Sequence, residues 1–193
     1  MQTGDIILFE VTGCCRYNPL TACIRCCTKS VYSHAGILWK NPPHLPPGLY
    51  VLQSTGPELA DAENGNHILG VQIELYDNVK RSFSGNMWHI HINVPRSQVF
   101  KDNFNYAYHK VHGLPYDAIP VDWVDAAFNR HMADLQREDT FFCSALVAFM
   151  LVSTSVMPQS TPWTIVRPVD LTAPAKGTRN VNFYYTVDKP KKL

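Results

Sequence analysis

The chain has 193 residues, of which 46% are hydrophobic and 17% are charged, and this composition fits one globular domain spanning residues 1–193 with a sizeable core. Its formal net charge is only +1, so no excess of charge recruits nucleic acid or a strongly anionic surface. We therefore expect no nucleic-acid partner, and specificity must come from a local site.

The N-terminal residues do not have the pattern expected of a secretory signal. They lack a basic region, and Asp5 precedes a short apolar run that is typical of a first strand. The most apolar stretch, residues 145–152, is too short to span a bilayer. We therefore expect a soluble, cytoplasmic protein.

Five of the six cysteines are bunched within a predicted loop at residues 11–30, namely Cys14, Cys15, Cys23, Cys26 and Cys27. A disulfide framework is disfavoured because the chain is long and has no secretory signal, so reduced thiols are expected. Two alternatives stay open. The spacing of Cys23 and Cys26 occurs in structural zinc sites, and cysteine pairs beside arginines are candidates for S-acylation at a membrane.

The first half of the chain is rich in strand patterns, at residues 4–9, 34–39, 49–53, 67–75 and 87–94. The proline-rich segment 41–48 predicts a stiff hairpin connection between the second and third of these strands. In the fifth strand His89 and His91 alternate with apolar residues. With no third ligand apparent, we expect them on a solvated face and predict no metal site.

Helical patterns dominate the second half of the chain. Ser97 is the predicted N-cap of a helix that ends near Gly113, Pro120 opens a second helix, and Thr140 is the predicted N-cap of a third, strongly apolar helix. A closing strand at 181–187 and a flexible tail at 188–193 complete the prediction. Strands followed by helices indicate an α+β domain.

Cys143 is the first candidate functional residue. It lies three residues after Thr140, in a first helical turn where N–H groups lack intrahelical acceptors and the helix dipole is positive. This environment favours a thiolate, the nucleophilic form of cysteine. An ordinary buried core cysteine is the alternative explanation.

A histidine and an amide side chain could complete a thiol site. His34 stands at a predicted strand start, before the small residues Ala35 and Gly36, and a thiol nucleophile needs such a base. On the next strand Gln53 or Ser54 would lie beside His34 if the hairpin closes, and an amide oxygen can orient an imidazole ring. A structural histidine is the alternative for His34.

The joint order of several short motifs resembles a known family, the circularly permuted papain-like amidases of the YiiX-like branch of the NlpC superfamily. The motifs are GDII at 4–7, YSHAGI at 32–37, YVLQ at 50–53, LPYD at 114–117, FCSALV at 142–147 and PVDL at 168–171. In this branch the histidine precedes the cysteine, as it does here. The branch also includes lecithin retinol acyltransferase-like proteins and members from large DNA viruses.

The resemblance implies a permuted papain-like α+β fold, with an antiparallel sheet packed against helices and the nucleophile at a helix N-terminus. It implies Cys143 as nucleophile, His34 as base and Gln53 as the orienting residue, a position where the family often has glutamate. The backbone N–H of Cys143 would help to form the oxyanion hole. Tyr116 is either a second oxyanion donor or a core tyrosine.

We therefore expect a cysteine hydrolase that cleaves an amide or peptide bond through a thioester and needs no cofactor. An acyltransferase or lipid deacylase acting on an acyl-lipid at the same site is the first alternative. The second alternative is a catalytically silent structural protein, membrane-associated through the Cys-rich loop or built into a virion.

Overall fold

The computed structural model describes residues 1–12, 30–117, 136–172 and 181–193. Within these ranges the strands are β1 (Ile6–Val11), β2 (His34–Lys40), β3 (Leu49–Thr55), β4 (Gly70–Leu75), β5 (Gly85–Ile90) and β6 (Lys191–Lys192). The α-helices are α1 (Tyr76–Ser82), α2 (Gln98–Val111) and α3 (Cys143–Ser153), and two short 3₁₀ helices follow at Trp163–Ile165 and Pro168–Leu171.

The six strands form one sheet in the order β4-β3-β2-β1-β5-β6, and every neighbouring pair is antiparallel. The first four strands follow one another along the chain as hairpins. The chain then passes through α1 and adds β5 on the free side of β1. This arrangement confirms the predicted α+β class and the antiparallel sheet.

Both faces of the sheet are covered, which explains why β1 is apolar without alternation. Ile6 and Leu8 pack in the larger core with α2 and α3, whereas Ile7 and Phe9 pack on the opposite face against α1. Helix α3 is central to the larger core, since its residues 143–152 are all buried. The nearly all-apolar sequence of α3 therefore reflects burial all round.

Helix α2 begins and ends where its sequence predicts. The Ser97 hydroxyl accepts a hydrogen bond from the backbone N–H of Phe100 at 3.2 Å, which is the expected N-cap contact. After Val111 the backbone reaches φ = +81° at Gly113, a conformation that glycine adopts without a steric penalty. Both predicted boundary signals are confirmed.

The predicted N-cap of α3 is wrong by two residues. The cap is Phe142, and Cys143 is the first helical residue rather than the third after a Thr140 cap. Phe141 is held extended by a bridge to Tyr116, and the Thr140 hydroxyl instead contacts the guanidinium of Arg137. Cys143 nevertheless remains in the first turn, which is the feature that the electrostatic argument requires.

Several other elements differ from prediction. Helix α1 was not predicted, β4 begins at Gly70 rather than at residue 67, and β5 ends at Ile90 rather than at residue 94. Near the C-terminus Val187 makes only an isolated bridge to Ile92, and the strand that pairs with β5 is Lys191–Lys192, inside the predicted tail. The Cys-rich segment 14–27 and the helix predicted from Pro120 lie outside the described residues. Among the described helices, none has the length and apolarity needed to cross a membrane.

Candidate active site

The candidate site lies where β2 and β3 stop pairing. The two strands pair along residues 37–40 and 49–52, although both continue beyond this point. The segment that leads into α3 meets these ends, which pair with β1 and β4 but not with each other. The Ser54 hydroxyl donates to the carbonyl of Phe141 at 2.6 Å, and the backbone N–H of Ala35 donates to the Cys143 sulfur. The sheet thus holds the N-terminus of α3 in position.

Cys143 and His34 share a hydrogen bond, so the structure brings together two residues that are far apart in sequence. Nε2 of His34 lies 2.8 Å from Oε1 of Gln53. Because an amide oxygen only accepts, this nitrogen carries the proton, and Nδ1 is the ring nitrogen left for the sulfur. The ring of Phe9 packs against the imidazole with centroids 4.9 Å apart and restricts its orientation.

The electrostatics of the pair favour its charged form. Burial opposes a thiolate at Cys143, which is only 2% exposed, but His34 and the backbone N–H groups of Ala35 and Ser144 together lower the pKa of the thiol below its ordinary value. Burial also opposes an imidazolium, but Cys143, Gln53 and Glu74 together raise the pKa of His34. The arrangement therefore favours a thiolate beside an imidazolium.

Glu74 is a site residue that the sequence analysis missed. Its Oε2 accepts from Nε2 of Gln53 at 2.7 Å, and its Oε1 accepts from Nε2 of Gln72 at 2.5 Å. Burial raises the pKa of Glu74 to about 7, although the hydrogen bond from Gln53 and the charge of His34 act in the opposite direction. The detectable signal was the alternation in β4, where Gln72 and Glu74 share one face while Val71 and Ile73 face the core.

Tyr116 lies close to the pair. It forms a parallel bridge with Phe141, two residues before Cys143. Burial and the neighbouring groups Cys143 and Asp117 raise the pKa of the phenol well above its ordinary value, so the hydroxyl keeps its proton and can donate. This is compatible with the oxyanion role, which stays a prediction.

A second polar cluster corrects the prediction that His89 and His91 are solvated. Nε2 of His89 lies 2.8 Å from Oδ2 of Asp5, and Nδ1 of His91 lies 2.9 Å from Oδ1 of the same buried carboxylate. Within the described ranges, these three side chains bring one potential metal-ligand atom each to within 4.8 Å of one another. Asp5, which the sequence places at a strand start, is the third member that the sequence analysis lacked.

The cluster is poorly suited to a cation. The guanidinium of Arg96 donates to Oδ1 of Asp5 at 2.7 Å, and the backbone N–H of Gln2 donates to Oδ2 at 2.9 Å. A metal ion bound there would face a fixed positive charge and would displace bonds that already satisfy both oxygens. The residues therefore fit an ion-paired hydrogen-bond hub better than a metal centre.

Comparison with known proteins supports the fold only. Neither the protein-family models nor the curated proteins searched with this sequence gave a match. Among solved structures, the chain is similar to one described as metalloprotein YiiX from Escherichia coli O157:H7, with a TM-score of 0.53 and 18% sequence identity. The match covers 84% of this chain and 77% of the other. The chain thus has a fold distantly similar to that of YiiX.

Proposed function

We propose that this protein is a cysteine hydrolase that cleaves an amide or peptide bond at Cys143. The observation that carries the proposal is the buried, hydrogen-bonded pair of Cys143 and His34 at the start of α3. A structural cysteine needs neither a base nor N–H donors directed at its sulfur. Here it has both, and they favour the nucleophilic thiolate.

In the proposed reaction the thiolate of Cys143 attacks the carbonyl carbon of the substrate. His34, as the imidazolium, gives its proton to the leaving amine as the C–N bond breaks and a thioester forms. His34 then takes a proton from a water molecule, which attacks the thioester and releases the acid. The backbone N–H of Cys143, at the helix N-terminus, and the phenol of Tyr116 are the proposed donors to the oxyanion.

The nucleophile is tested by the pH dependence of its alkylation. Iodoacetamide is applied between pH 4 and pH 9, and the rate at Cys143 is read from its own peptide by mass spectrometry, with the other cysteines as internal references. We expect Cys143 to react at least about tenfold faster than the references near pH 6, because its pKa is lowered.

The matched variant for this test is His34→Ala, which should remove the advantage of Cys143 and return its rate to that of the reference cysteines. If Cys143 in the unmodified protein follows the references at every pH, the hydrolase proposal fails. A structural or membrane-associated role would then be the better explanation.

The bond that is cleaved needs a separate experiment, because an acyltransferase or lipid deacylase would use the same thiolate. Peptide-like and long-chain acyl electrophiles are compared by the mass that they add to Cys143. We expect labelling by the peptide-like probes. Labelling by long acyl chains alone would replace the peptidase proposal with the lipid-directed one.

A further inference from the structure

The Glu74 carboxylate, the Gln53 amide and the His34 imidazole form a series of hydrogen-bonded side chains, which we call the polar row. It runs from β4 through β3 to the start of β2 with contacts of 2.7 and 2.8 Å. Glu74 and Gln53 are 2% and 5% exposed, so the row is shielded from water along most of its length.

The row contains the Glu74 carboxylate, a group whose burial in a protein interior is energetically unfavourable. A carboxylate buried on a strand loses its hydration, and apolar residues of similar size would fill the space at lower cost. Its two oxygens accept one amide N–H each, from Gln53 and Gln72, which is the pattern of an ionised, acceptor-only carboxylate. The structure therefore provides for the charge at Glu74.

Glu74 also determines how the Gln53 amide is oriented. An amide side chain has one donor end and one acceptor end, and an ionised carboxylate can only accept. Gln53 must therefore turn its NH₂ group toward Glu74, which leaves its oxygen for His34. The oxygen in turn requires the proton of His34 on Nε2, so that Nδ1 faces Cys143.

We propose that Glu74 is a positioning residue: through the Gln53 amide, its carboxylate fixes the orientation of the His34 ring proton and stabilises the imidazolium beside the Cys143 thiolate. This inference rests on the proposed function and deepens it. Gln53 is neutral where the resembled family often has glutamate. The negative charge is instead supplied by Glu74, one side chain further from the imidazole.

The charged groups around Glu74 indicate how the row responds to pH. His34, on β2, favours its ionised form, whereas Glu58, exposed in the connection after β3, disfavours it. Gln53 and Gln72 contribute only neutral dipoles. Because the pKa of Glu74 is about 7, acidification below neutral pH removes its negative charge from the row.

The test uses Glu74→Gln and the exchanged pair Gln53→Glu/Glu74→Gln, in which a carboxylate contacts His34 directly and an amide lies behind it. Asp102→Asn is the control, because it removes an exposed carboxylate on α2. Thermal unfolding first establishes that each variant folds. The rate of Cys143 alkylation is then measured against pH, as above.

We expect Glu74→Gln to reduce the alkylation rate at pH 7 by about tenfold, which corresponds to one pKa unit. The exchanged pair should recover the rate to within about threefold, since the row regains its charge. The control should leave the rate unchanged. An alkylation profile in Glu74→Gln that coincides with that of the unmodified protein would overturn the inference.

A second measurement separates this inference from the proposed function. In a Cys143→Ser background the pKa of His34 is followed by NMR of the imidazole, with and without Glu74→Gln. A lower pKa of His34 in the Glu74→Gln protein supports the polar row even if Cys143 proves unreactive. An unchanged pKa overturns the inference even if Cys143 is a nucleophile.

If Glu74→Gln does not fold, Glu58→Gln takes its place. Removal of that repelling charge should move the acid limb of the alkylation profile to lower pH, and an unmoved limb would overturn the inference.

Discussion

Cys143 is both deeply buried and arranged to ionise, two properties that normally oppose each other. Burial alone raises a thiol pKa, because a thiolate loses hydration. Here the sulfur accepts from the backbone N–H groups of Ala35 and Ser144 and lies beside His34, and these contacts outweigh the loss. At this scale the chemistry depends on a few directed donors.

Glu74 should make the protein's stability depend on pH. Its folded-state pKa is raised from 4.5 to about 7, so between these values the unfolded chain loses a proton that the folded protein retains. Stability contributed by this group is therefore greatest below pH 4.5 and falls as the pH rises through 7. Glu74→Gln removes the dependence.

We therefore expect the stability of Glu74→Gln, relative to that of the unmodified protein, to be greater at pH 8 than at pH 5 by about 2.5 kcal/mol. Urea unfolding at the two pH values measures the difference, with Asp102→Asn as the control. A relative stability that is constant between pH 5 and pH 8 would mean that Glu74 ionises normally. The expected pH dependence, together with a loss of reactivity in Glu74→Gln, would make Glu74 a residue that lowers stability and supports function.

At the scale of elements, the site depends on one contact between the sheet and the segment preceding α3. Ser54, on the part of β3 beyond its pairing with β2, donates to the carbonyl of Phe141. Gly36 also keeps this region compact, since a Cβ atom there would lie 2.6 Å from Cγ1 of Val51. These contacts place Cys143 against β2 where its pairing with β3 ends.

Ser54→Ala should destabilise the protein by about 1–2 kcal/mol and should also slow alkylation of Cys143. The lost hydrogen bond anchors the residue two positions before Cys143, so the sulfur should shift relative to His34. Thermal unfolding and alkylation rates measure the two effects.

The matched control is Ser97→Ala, which removes a serine hydrogen bond from the N-cap of α2 and should cost about 1 kcal/mol. It should leave Cys143 reactivity unchanged. Equal reactivity in both serine variants would show that the Ser54 contact contributes to stability alone.

At the scale of the whole molecule, Asp5 connects the start of β1 with β5 and with the segment entering α2. Its carboxylate accepts hydrogen bonds from His89, His91 and Arg96. Burial alone would raise the pKa of this carboxyl group, but these partners outweigh burial and lower it. A lowered pKa contributes stability that is present above the ordinary value of 3.8 and is lost as the pH falls through the folded value.

Asp5→Asn should therefore reduce the free energy of unfolding by about 3 kcal/mol at pH 7, because it leaves Arg96 without its buried partner. The deficit should shrink as the pH falls below the ordinary value of 3.8, because the unfolded chain of the unmodified protein then binds a proton before the folded protein does. Urea unfolding from pH 3 to pH 7 measures this deficit.

Zn²⁺ added to the unmodified protein should not raise its melting temperature. A rise that Asp5→Asn abolishes would favour a metal centre instead.

Local patterns determined much of the architecture. The β1–β3 strands, the Ser97 cap and the end of α2 near Gly113 were predictable, because periodicity, side-chain caps and glycine conformations act over a few residues. Helix α1 was missed, and the α3 boundary was misplaced at Thr140. A bridge from Tyr116 to Phe141, between segments distant in sequence, decided that boundary.

By itself the sequence determined most of the element types and nominated Cys143, His34 and Gln53, because strand position, helix start and residue chemistry are local properties. Only the tertiary structure decided that these residues meet, that Glu74 stands behind Gln53 and that Asp5 receives His89 and His91. These contacts depend on strand register, on the end of the pairing between β2 and β3 and on the burial of charge. Each arises between segments tens of residues apart, where no local pattern specifies the partner.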